Sequence, residues 1–180
     1  MTEKFCAGKD YFLKENVSGK ESCECKFRFQ IGKDKLNFIF DVTDPDIISP
    51  YSSDNENIYY GDAVEIFITP DGDLSRYKEL EVSPFGVRFF GNILNRDGKT
   101  PELTKIAPAF SAQAMETLTG YRVVIDLPFE SAGIRDLKKA KFNAYRLDKK
   151  ADGKLLLYAL NPTMCESFHR PAYFVELNEH

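Results

Sequence analysis

The chain contains 180 residues, of which 43% are hydrophobic, and its 28 acidic residues outnumber its 24 lysines and arginines, for a net charge of -4. This length and apolar content predict one globular domain over residues 1–180 and exclude an intrinsically disordered chain. The net negative charge argues against a nucleic-acid-binding protein. No stretch approaches the roughly 18 consecutive apolar residues of a membrane span, so we predict no membrane association.

Alternation of apolar and polar residues predicts short strands along most of the chain. In chain order, the predicted strands cover residues 23–31, 35–43, 62–69, 76–83, 86–93, 109–117, 121–127, 141–148, 154–160 and 172–177. Turn residues such as Gly, Pro and Asp separate these strands. The polar segments 44–57 and 94–108 are predicted loops, and residues 130–140 form the one predicted helix.

These elements predict an all-β fold of roughly nine to eleven strands with at most one short helix. Strands and helices do not alternate, so a parallel sheet is not expected. Each predicted strand has an apolar face to bury, and two antiparallel sheets packed against each other bury all of them. The sequence therefore predicts a two-sheet β-sandwich that is jelly-roll-like.

The amino terminus lacks an apolar leader, so we expect a cytoplasmic protein, or a secreted one if a leader has been removed. The four cysteines, Cys6, Cys23, Cys25 and Cys165, lack the paired spacing of a zinc site. Cys23 and Cys25 share the parity of the apolar residues that follow them, so both are expected to be buried, reduced strand residues.

The strand at 62–69 carries the most informative side chains. Its even-numbered apolar residues share one face, and Glu65 and Phe67 share the other, which predicts a half-buried strand. An aromatic ring can stack on a sugar, and a carboxylate can accept two of its hydroxyl hydrogen bonds. Arg88 and Phe90 offer a similar pair. Parity alone nevertheless favours core roles for the two phenylalanines and a structural ion pair for Glu65.

The sequence does not predict an enzyme. Of its two histidines, only His169 is internal, and the nucleophile elbow, zinc-protease and phosphate-binding motifs are all missing. Carboxylate pairs are frequent, and Glu79 with Glu81 is one of them. Such pairs on strands are usually solvated, so we interpret this one as solvated as well.

Asp44, Asp46 and Asp54 are weak candidates for a structural calcium site, because they cluster around the loop at 44–57. Calcium takes six to eight oxygen ligands, which acids and carbonyls of a loop can supply. The spacing does not continue as an EF-hand loop, so a solvated acidic loop is the favoured interpretation.

Several segments from about residue 20 onward resemble, in consistent order, the family 9 carbohydrate-binding modules and their DOMON-like relatives. The strongest is Tyr60-Gly-Asp-Ala-Val-Glu-Ile-Phe-Ile-Thr-Pro70, which is similar to the family's aromatic-x-Gly-Asp-x-Val-Glu-hydrophobic-Phe strand. The other segments are Glu81–Gly86, Tyr121–Phe129, Phe142–Asp148, Asn161–Thr163 and Phe168–Pro171.

The resemblance implies a β-sandwich that binds a mono- or oligosaccharide without cleaving it. Characterised members clamp a sugar between two tryptophans, hold its hydroxyls with Glu, Arg, Asn and Gln side chains, and support their loops with calcium. Carried over by position, the clamp falls on Tyr59 and Phe168, the hydroxyl-binding acid and arginine fall on Glu65 and Arg88, and the glutamine falls on Tyr145. This chain has no tryptophan, and its tyrosine and phenylalanine rings stack over less area.

Two other functions stay open. A sandwich that has lost its sugar site would serve as a structural or protein-interaction module with an unidentified partner, which the missing tryptophans favour. A haem-binding relative would need axial ligands, for which Met115, Met164 and His169 are the candidates. Apart from these candidate roles, the segment Phe168–Pro171 is interpreted as a structural closing turn.

Overall fold

The computed structural model describes residues 4–178, which form two antiparallel sheets. The strands, in chain order, are Asp10–Phe12 (β1), Lys14–Glu15 (β2), Cys25–Ile31 (β3), Lys35–Thr43 (β4), Ala63–Thr69 (β5), Arg76–Val82 (β6), Arg88–Leu94 (β7), Glu102–Lys105 (β8), Ser111–Thr117 (β9), Gly120–Pro128 (β10), Lys141–Lys149 (β11), Leu155–Ala159 (β12) and Val175–Glu176 (β13). The helices are the one-turn α-helix Phe129–Ala132 (α1) and the 3-10 helices Ile58–Tyr60 and Pro171–Tyr173.

The five-stranded sheet has the order β1–β3–β4–β10–β9. The eight-stranded sheet has the order β2–β12–β11–β5–β6–β7–β8, and β13 pairs with β11 beside this path. The prediction of an all-β, two-sheet antiparallel sandwich is therefore confirmed. No helix within residues 4–178 is long and apolar enough to cross a bilayer.

The main core lies between the two sheets, where alternate residues of each strand meet. Phe29 of β3 contacts Phe142 of β11 with ring centroids 5.0 Å apart, so aromatic contacts join the sheets directly. Val64, Ile66 and Ile68 of β5 enter the same core, as their parity predicts. Aromatic and β-branched residues are favoured on such pleated, packed surfaces, and the chain is rich in both.

The outer face of the eight-stranded sheet is buried as well. All seven residues of β5 are buried, so the prediction of a half-buried strand is wrong. The carboxyl-terminal part of the chain covers this face: Phe168 and Phe174 join Phe67, Tyr77 and Tyr145 in a second apolar cluster. This layer lies about a hundred residues away in the chain, so the alternation within β5 carries no sign of it.

Three local predictions are corrected by the structure. The helix predicted at 130–140 ends at Ala132, because Gly133 adopts a left-handed conformation with φ of 81° and closes the turn. The loop predicted at 94–108 contains β8, whose four residues are all exposed and so show no alternation. The strand predicted at 172–177 is reduced to β13, preceded by the 3-10 helix Pro171–Tyr173.

The cysteines differ from one another. Cys25 is a buried strand residue of β3, as predicted, and Cys6 is buried too. Cys23 lies before β3 and is exposed, so its prediction as a buried strand residue is wrong. All four cysteines are free thiols.

Candidate functional site

A pocket of about 400 Å³ opens on the outer face of the eight-stranded sheet. Its lining residues are Tyr59, Tyr60, Glu65, Phe67, Glu79, Pro101, Leu103, Leu147, Leu155, Leu157, Glu166, Ser167, Phe168 and His169. A larger cleft of about 730 Å³ lies over the five-stranded sheet, but no aromatic ring lines it. The smaller pocket combines aromatic walls with convergent polar groups, which is typical of ligand sites.

Glu65, which lines this pocket, belongs to a cross-strand row of four side chains. Tyr145 of β11 lies opposite Glu65 of β5, which lies opposite Glu81 of β6, which lies opposite Phe89 of β7. Adjacent strands are about 4.8 Å apart, so the two outer aromatic positions are separated by roughly 14 Å. Strand pairing therefore places two carboxylates between two aromatic residues.

Each aromatic end of that row supports one wall of the pocket. Phe168 stacks on Tyr145 with ring centroids 4.1 Å apart and an angle of 19°. The Tyr145 hydroxyl donates to the Phe168 carbonyl at 3.2 Å, so Tyr145 supports both the ring and the backbone of Phe168. At the other end, Tyr59 packs edge-on against Phe89 at 5.9 Å. Tyr60 beside it is 63% exposed and forms the rim.

The structure brings three of the five predicted sugar-binding residues to the pocket surface, namely Tyr59, Glu65 and Phe168. Tyr145 is fully buried beneath Phe168, where it supports the wall. Arg88 is not brought to the pocket. Its Nη2 lies 2.6 Å from Oδ2 of Asp54, and its Nη1 donates to the Phe110 carbonyl.

Strand parity explains the position of Arg88. The register of β6 and β7 pairs Glu81 with Phe89 and Val82 with Arg88. Side chains alternate between the two faces of a strand, so Arg88 faces away from Glu65. Phe90, which pairs with Leu80, lies with it in the main core between the sheets.

Three buried carboxylates, Glu65, Glu79 and Glu81, form what we call the glutamate triad. One carboxylate oxygen from each lies within 4.8 Å of the others. Their exposed fractions are 3%, 4% and 0%, so the interpretation of Glu79 and Glu81 as solvated is wrong. Four triad oxygens have no hydrogen-bond partner outside the triad: Oε2 of Glu65, Oε2 of Glu79 and both oxygens of Glu81. Within the triad, Glu81 shares carboxyl hydrogen bonds with Glu65 and Glu79.

Burial and mutual repulsion disfavour the charged forms of these acids. Burial raises the pKa of Glu79 to about 7. Burial, with the neighbouring triad charges adding to it, raises the pKa of Glu65 and of Glu81 well above the ordinary glutamate value. Around neutral pH, the triad therefore holds protons or requires a nearby cation.

His169 does not provide that cation. Its Nε2 lies 3.9 Å from Oε2 of Glu79, but burial and the charge of Arg170 lower the pKa of His169 to about 4. The ring is fixed by stacking on Phe67 at 4.8 Å and by a hydrogen bond of 2.8 Å between its Nδ1 and the Tyr77 hydroxyl. The imidazole is neutral at pH 7 and lines the pocket as a polar, uncharged group.

The predicted calcium ligands do not form one site. Asp54 pairs with Arg88 and Asp46 donates its backbone N–H to Oδ1 of Asp44. Asp44 is buried, not solvated, and meets two other buried acids, Asp62 and Asp148. We call these three residues the aspartate triad.

The aspartate triad already faces cations of the protein. Nη2 of Arg146 lies 3.1 Å from Oδ2 of Asp44 and 3.4 Å from Oδ2 of Asp148. Nζ of Lys150 lies 2.8 Å from Oδ2 of Asp148. Asp62 accepts the backbone N–H groups of Ile48 and Lys149. A calcium ion does not fit here, because a buried guanidinium contacts two of the three carboxylates.

The haem-ligand candidates are not arranged as an axial pair. Met115 lies on β9 of the five-stranded sheet and is exposed, whereas His169 lies over the other sheet. Met164 is exposed as well, and it adopts a left-handed backbone conformation with φ of 58°.

Sequence reasoning missed four residues of this region, namely Tyr60, Glu79, Glu81 and His169. One signal was present: Tyr77, Glu79 and Glu81 share a strand face, and an aromatic-acid pattern of the same kind occurs in β5. The cover over that face, which places His169 there, comes from distant residues and has no local signal.

The comparisons with known proteins agree with this fold. Residues 6–174 match the family described as carbohydrate family 9 binding domain-like. No curated protein matches the chain. Among solved structures, a candidate carbohydrate-binding protein from Bacteroides uniformis ATCC 8492 aligns with a TM-score of 0.76 at 18% identity, over 94% of this chain and 85% of that one.

Two further structures are of a family 9 carbohydrate-binding module from Caldicellulosiruptor kristjanssonii. The complex with glucose aligns with a TM-score of 0.64 at 15% identity, over 99% of this chain and 96% of that one. The complex with cellotriose aligns with a TM-score of 0.58 at 15% identity, over 99% and 91%. These likenesses concern the fold, and the family match covers nearly the whole sequence: the chain belongs to the carbohydrate family 9 binding domain-like family.

Proposed function

We propose that this protein is a non-catalytic carbohydrate-binding module that holds a mono- or oligosaccharide in the pocket over the eight-stranded sheet. The observation that carries the proposal is the cross-strand row, in which buried carboxylates lie between two aromatic supports. Family membership and the two sugar complexes of the Caldicellulosiruptor module support the same function.

The chemistry of the pocket suits a sugar. The apolar C–H face of a pyranose stacks on an aromatic ring, and Phe168 and Tyr59 provide rings at the two ends of the row. Sugar hydroxyls need strong acceptors once they leave water, and Oε2 of Glu65 is a buried acceptor without a protein partner. Glu65 thus takes the hydroxyl-binding role, and Tyr145 acts by positioning Phe168.

The arrangement of the acids favours binding over glycoside cleavage. Glycoside hydrolysis uses two carboxyl groups that flank the scissile bond, at about 5 to 9 Å from each other. Here, Glu65 and Glu79 line the pocket from neighbouring strands and form one cluster with the buried Glu81, so they lie side by side. We therefore assign binding and no bond cleavage to the pocket.

Titration calorimetry with glucose, cellotriose and other mono- and oligosaccharides tests this proposal. We expect Phe168→Ala and Glu65→Gln each to weaken the best ligand by about tenfold or more, which is about 1.4 kcal/mol. Phe85→Ala is the matched control, because Phe85 is an exposed aromatic outside the pocket. The family resemblance assigns sugar binding to Arg88, whereas the structure pairs Arg88 with Asp54 away from the pocket. We therefore expect Arg88→Met to leave sugar affinity unchanged.

Binding that survives both pocket substitutions would contradict the site. If no sugar binds to the folded wild-type protein, the proposed function fails, and the alternative of a protein-interaction module takes its place.

A further inference from the structure

The pocket has an unusual charge composition for a site that would bind a neutral sugar. Three acids line it, Glu65, Glu79 and Glu166, and no lysine or arginine does. His169 is neutral, as described above. An ionised carboxylate accepts hydrogen bonds and donates none. A ligand that binds the ionised acids therefore has to supply hydrogen-bond donors, and it has to carry a positive charge to neutralise them.

The glutamate triad lacks a counter-charge from the protein. Within residues 4–178, the one basic side chain in an ion-pair contact with it is the neutral His169. Glu65 and Glu81 lie directly opposite each other on β5 and β6, an arrangement that is destabilising for like charges. Buried charges in proteins are normally paired or bind a cation. The aspartate triad follows this rule through Arg146 and Lys150, and the glutamate triad does not.

We propose that the ligand is an amino sugar, whose ammonium group binds at Glu65 and Glu79, which line the pocket beside the buried Glu81. This inference rests on the proposed function and specifies its substrate class. The ammonium donates hydrogen bonds to Oε2 of Glu65 and Oε2 of Glu79, which have no partner outside the triad. The uncharged carbons of the sugar ring contact the aromatic walls.

The composition of the pocket favours a sugar that carries an ammonium group over a bare metal ion. A metal ion would use only the carboxylates at the base and leave about 400 Å³ of aromatic and aliphatic surface without a role. An amino sugar uses both parts, and its positive charge is also attracted to the faces of nearby rings such as Tyr59 and Phe168.

The test is titration calorimetry on the full chain at constant ionic strength, with glucosamine, glucose and N-acetylglucosamine as ligands. These three share a ring and differ at one position, where they carry an ammonium, a hydroxyl and an amide. We expect glucosamine to bind at least about tenfold more tightly than the other two, a difference of about 1.4 kcal/mol. Manganese and calcium salts are titrated in parallel.

Two variants and one control connect this preference to the triad. Glu81→Gln and Glu79→Gln keep the size of the side chain and remove one ionisable carboxyl group each, so the triad can no longer ionise fully against an ammonium. The glucosamine preference should therefore fall to about threefold or less, a loss of more than about 0.7 kcal/mol. Glu116→Gln is the control, because Glu116 is an exposed residue of β9 on the other sheet. We expect it to keep the wild-type preference.

The outcomes separate the inference from the proposed function. If glucose or N-acetylglucosamine binds as tightly as glucosamine, the amino-sugar inference is overturned and sugar binding stands. If none of the three binds and no other sugar does, both fail. If manganese or calcium binds, competes with glucosamine and loses its site in Glu81→Gln, the triad is a metal site and the inference is overturned.

Discussion

The glutamate triad and the aspartate triad are similar groups of acids in two different environments of one chain. Both consist of three buried carboxylates from neighbouring segments, each with oxygens within 4.8 Å of one another. The aspartate triad lies against Arg146, which is fully buried, and Lys150. Among the basic side chains of residues 4–178, the neutral His169 is the one in ion-pair contact with the glutamate triad, and a pocket lies above it. Similar groups of acids are therefore paired with cations of the protein in one place and lie against a pocket in the other.

This difference follows from the strands that carry the acids. On β11, Arg146 lies two residues before Asp148, so both side chains extend from the same face and meet. On β6, the corresponding neighbours of Glu81 on its face are Glu79 and a serine, and β5 contributes Glu65 and Phe67. No cation shares that face with them within β5 or β6, so compensation has to come from outside the sheet.

The largest expected effect is on the compensated triad. Arg146→Met should lower the free energy of unfolding by about 3 to 5 kcal/mol, because it leaves buried carboxylates without their guanidinium. Urea unfolding at pH 7 measures the loss. The control is Arg122→Met, which breaks the half-exposed ion pair with Asp41 and should cost less than about 1 kcal/mol.

Calcium sharpens the same comparison. In the wild-type protein, calcium and chelator should leave the melting temperature unchanged, since Arg146 already neutralises the aspartate triad. In Arg146→Met, added calcium should recover part of the lost stability by binding the freed carboxylates. A large effect of chelator on the wild type would show that this triad holds a metal beside Arg146.

The next effect concerns the pH dependence of the uncompensated triad. In the unfolded chain, a glutamate has a pKa of 4.5, whereas in the folded protein burial raises the pKa of Glu79 to about 7 and raises that of Glu81 well above its ordinary value. Between these values, the folded protein binds more protons than the unfolded chain. Its free energy of unfolding therefore falls as pH rises from about 4.5 through 7, by on the order of 3 kcal/mol for such a group.

Glu81→Gln should flatten this decline and make the protein more stable than wild type at pH 8. Urea unfolding at pH 5, 6, 7 and 8 compares the two proteins.

Two other groups titrate in both proteins and cancel in the difference: Asp62, whose pKa burial raises to about 6, and His169, whose lowered pKa acts in the opposite direction. The other titratable or charged groups near the triad include Tyr51, Tyr59, Tyr77, Tyr145, Glu166 and Arg170. Parallel pH profiles would mean that the triad keeps its charge without a ligand.

The predictability of the two regions from sequence also differs. Strands β4 and β10 were predicted to within a residue, because one face of each points outward and the alternation is regular. The same rule placed the acid and the aromatic residue of β5, Glu65 and Phe67, on the correct face. Their burial was not predicted, because the cover arrives from residues near 168 and 174, and only tertiary structure joins them.

Arg88 illustrates the limit of carrying a residue over by position. A shift of one residue in a strand moves a side chain to the opposite face. The neighbouring Phe89 faces the pocket side, and Arg88 does not. Likewise, the calcium ligands were grouped by closeness in sequence, whereas Asp44 meets Asp62 and Asp148 across three segments of the fold. Spacing along the chain does not encode such meetings.

The smallest expected effect tests whether the pocket wall depends on its support. Tyr145→Phe keeps the ring stacked beneath Phe168 and removes the hydroxyl that donates to the Phe168 carbonyl. We expect a loss of about 0.5 to 1.5 kcal/mol in the free energy of unfolding. We also expect a fall of a few-fold in sugar affinity, because the carbonyl no longer fixes the segment that carries the ring.

Tyr121→Phe is the matched control for that substitution. Tyr121 is also fully buried, but its hydroxyl has no hydrogen-bond partner, so its removal should cost little stability and leave sugar affinity unchanged. If Tyr145→Phe and Tyr121→Phe behave alike in calorimetry, the hydroxyl of Tyr145 does not position Phe168. The stacking of the two rings at 4.1 Å would then be the whole support of this wall. A loss of affinity confined to Tyr145→Phe would connect the interior of the eight-stranded sheet directly to its ligand surface.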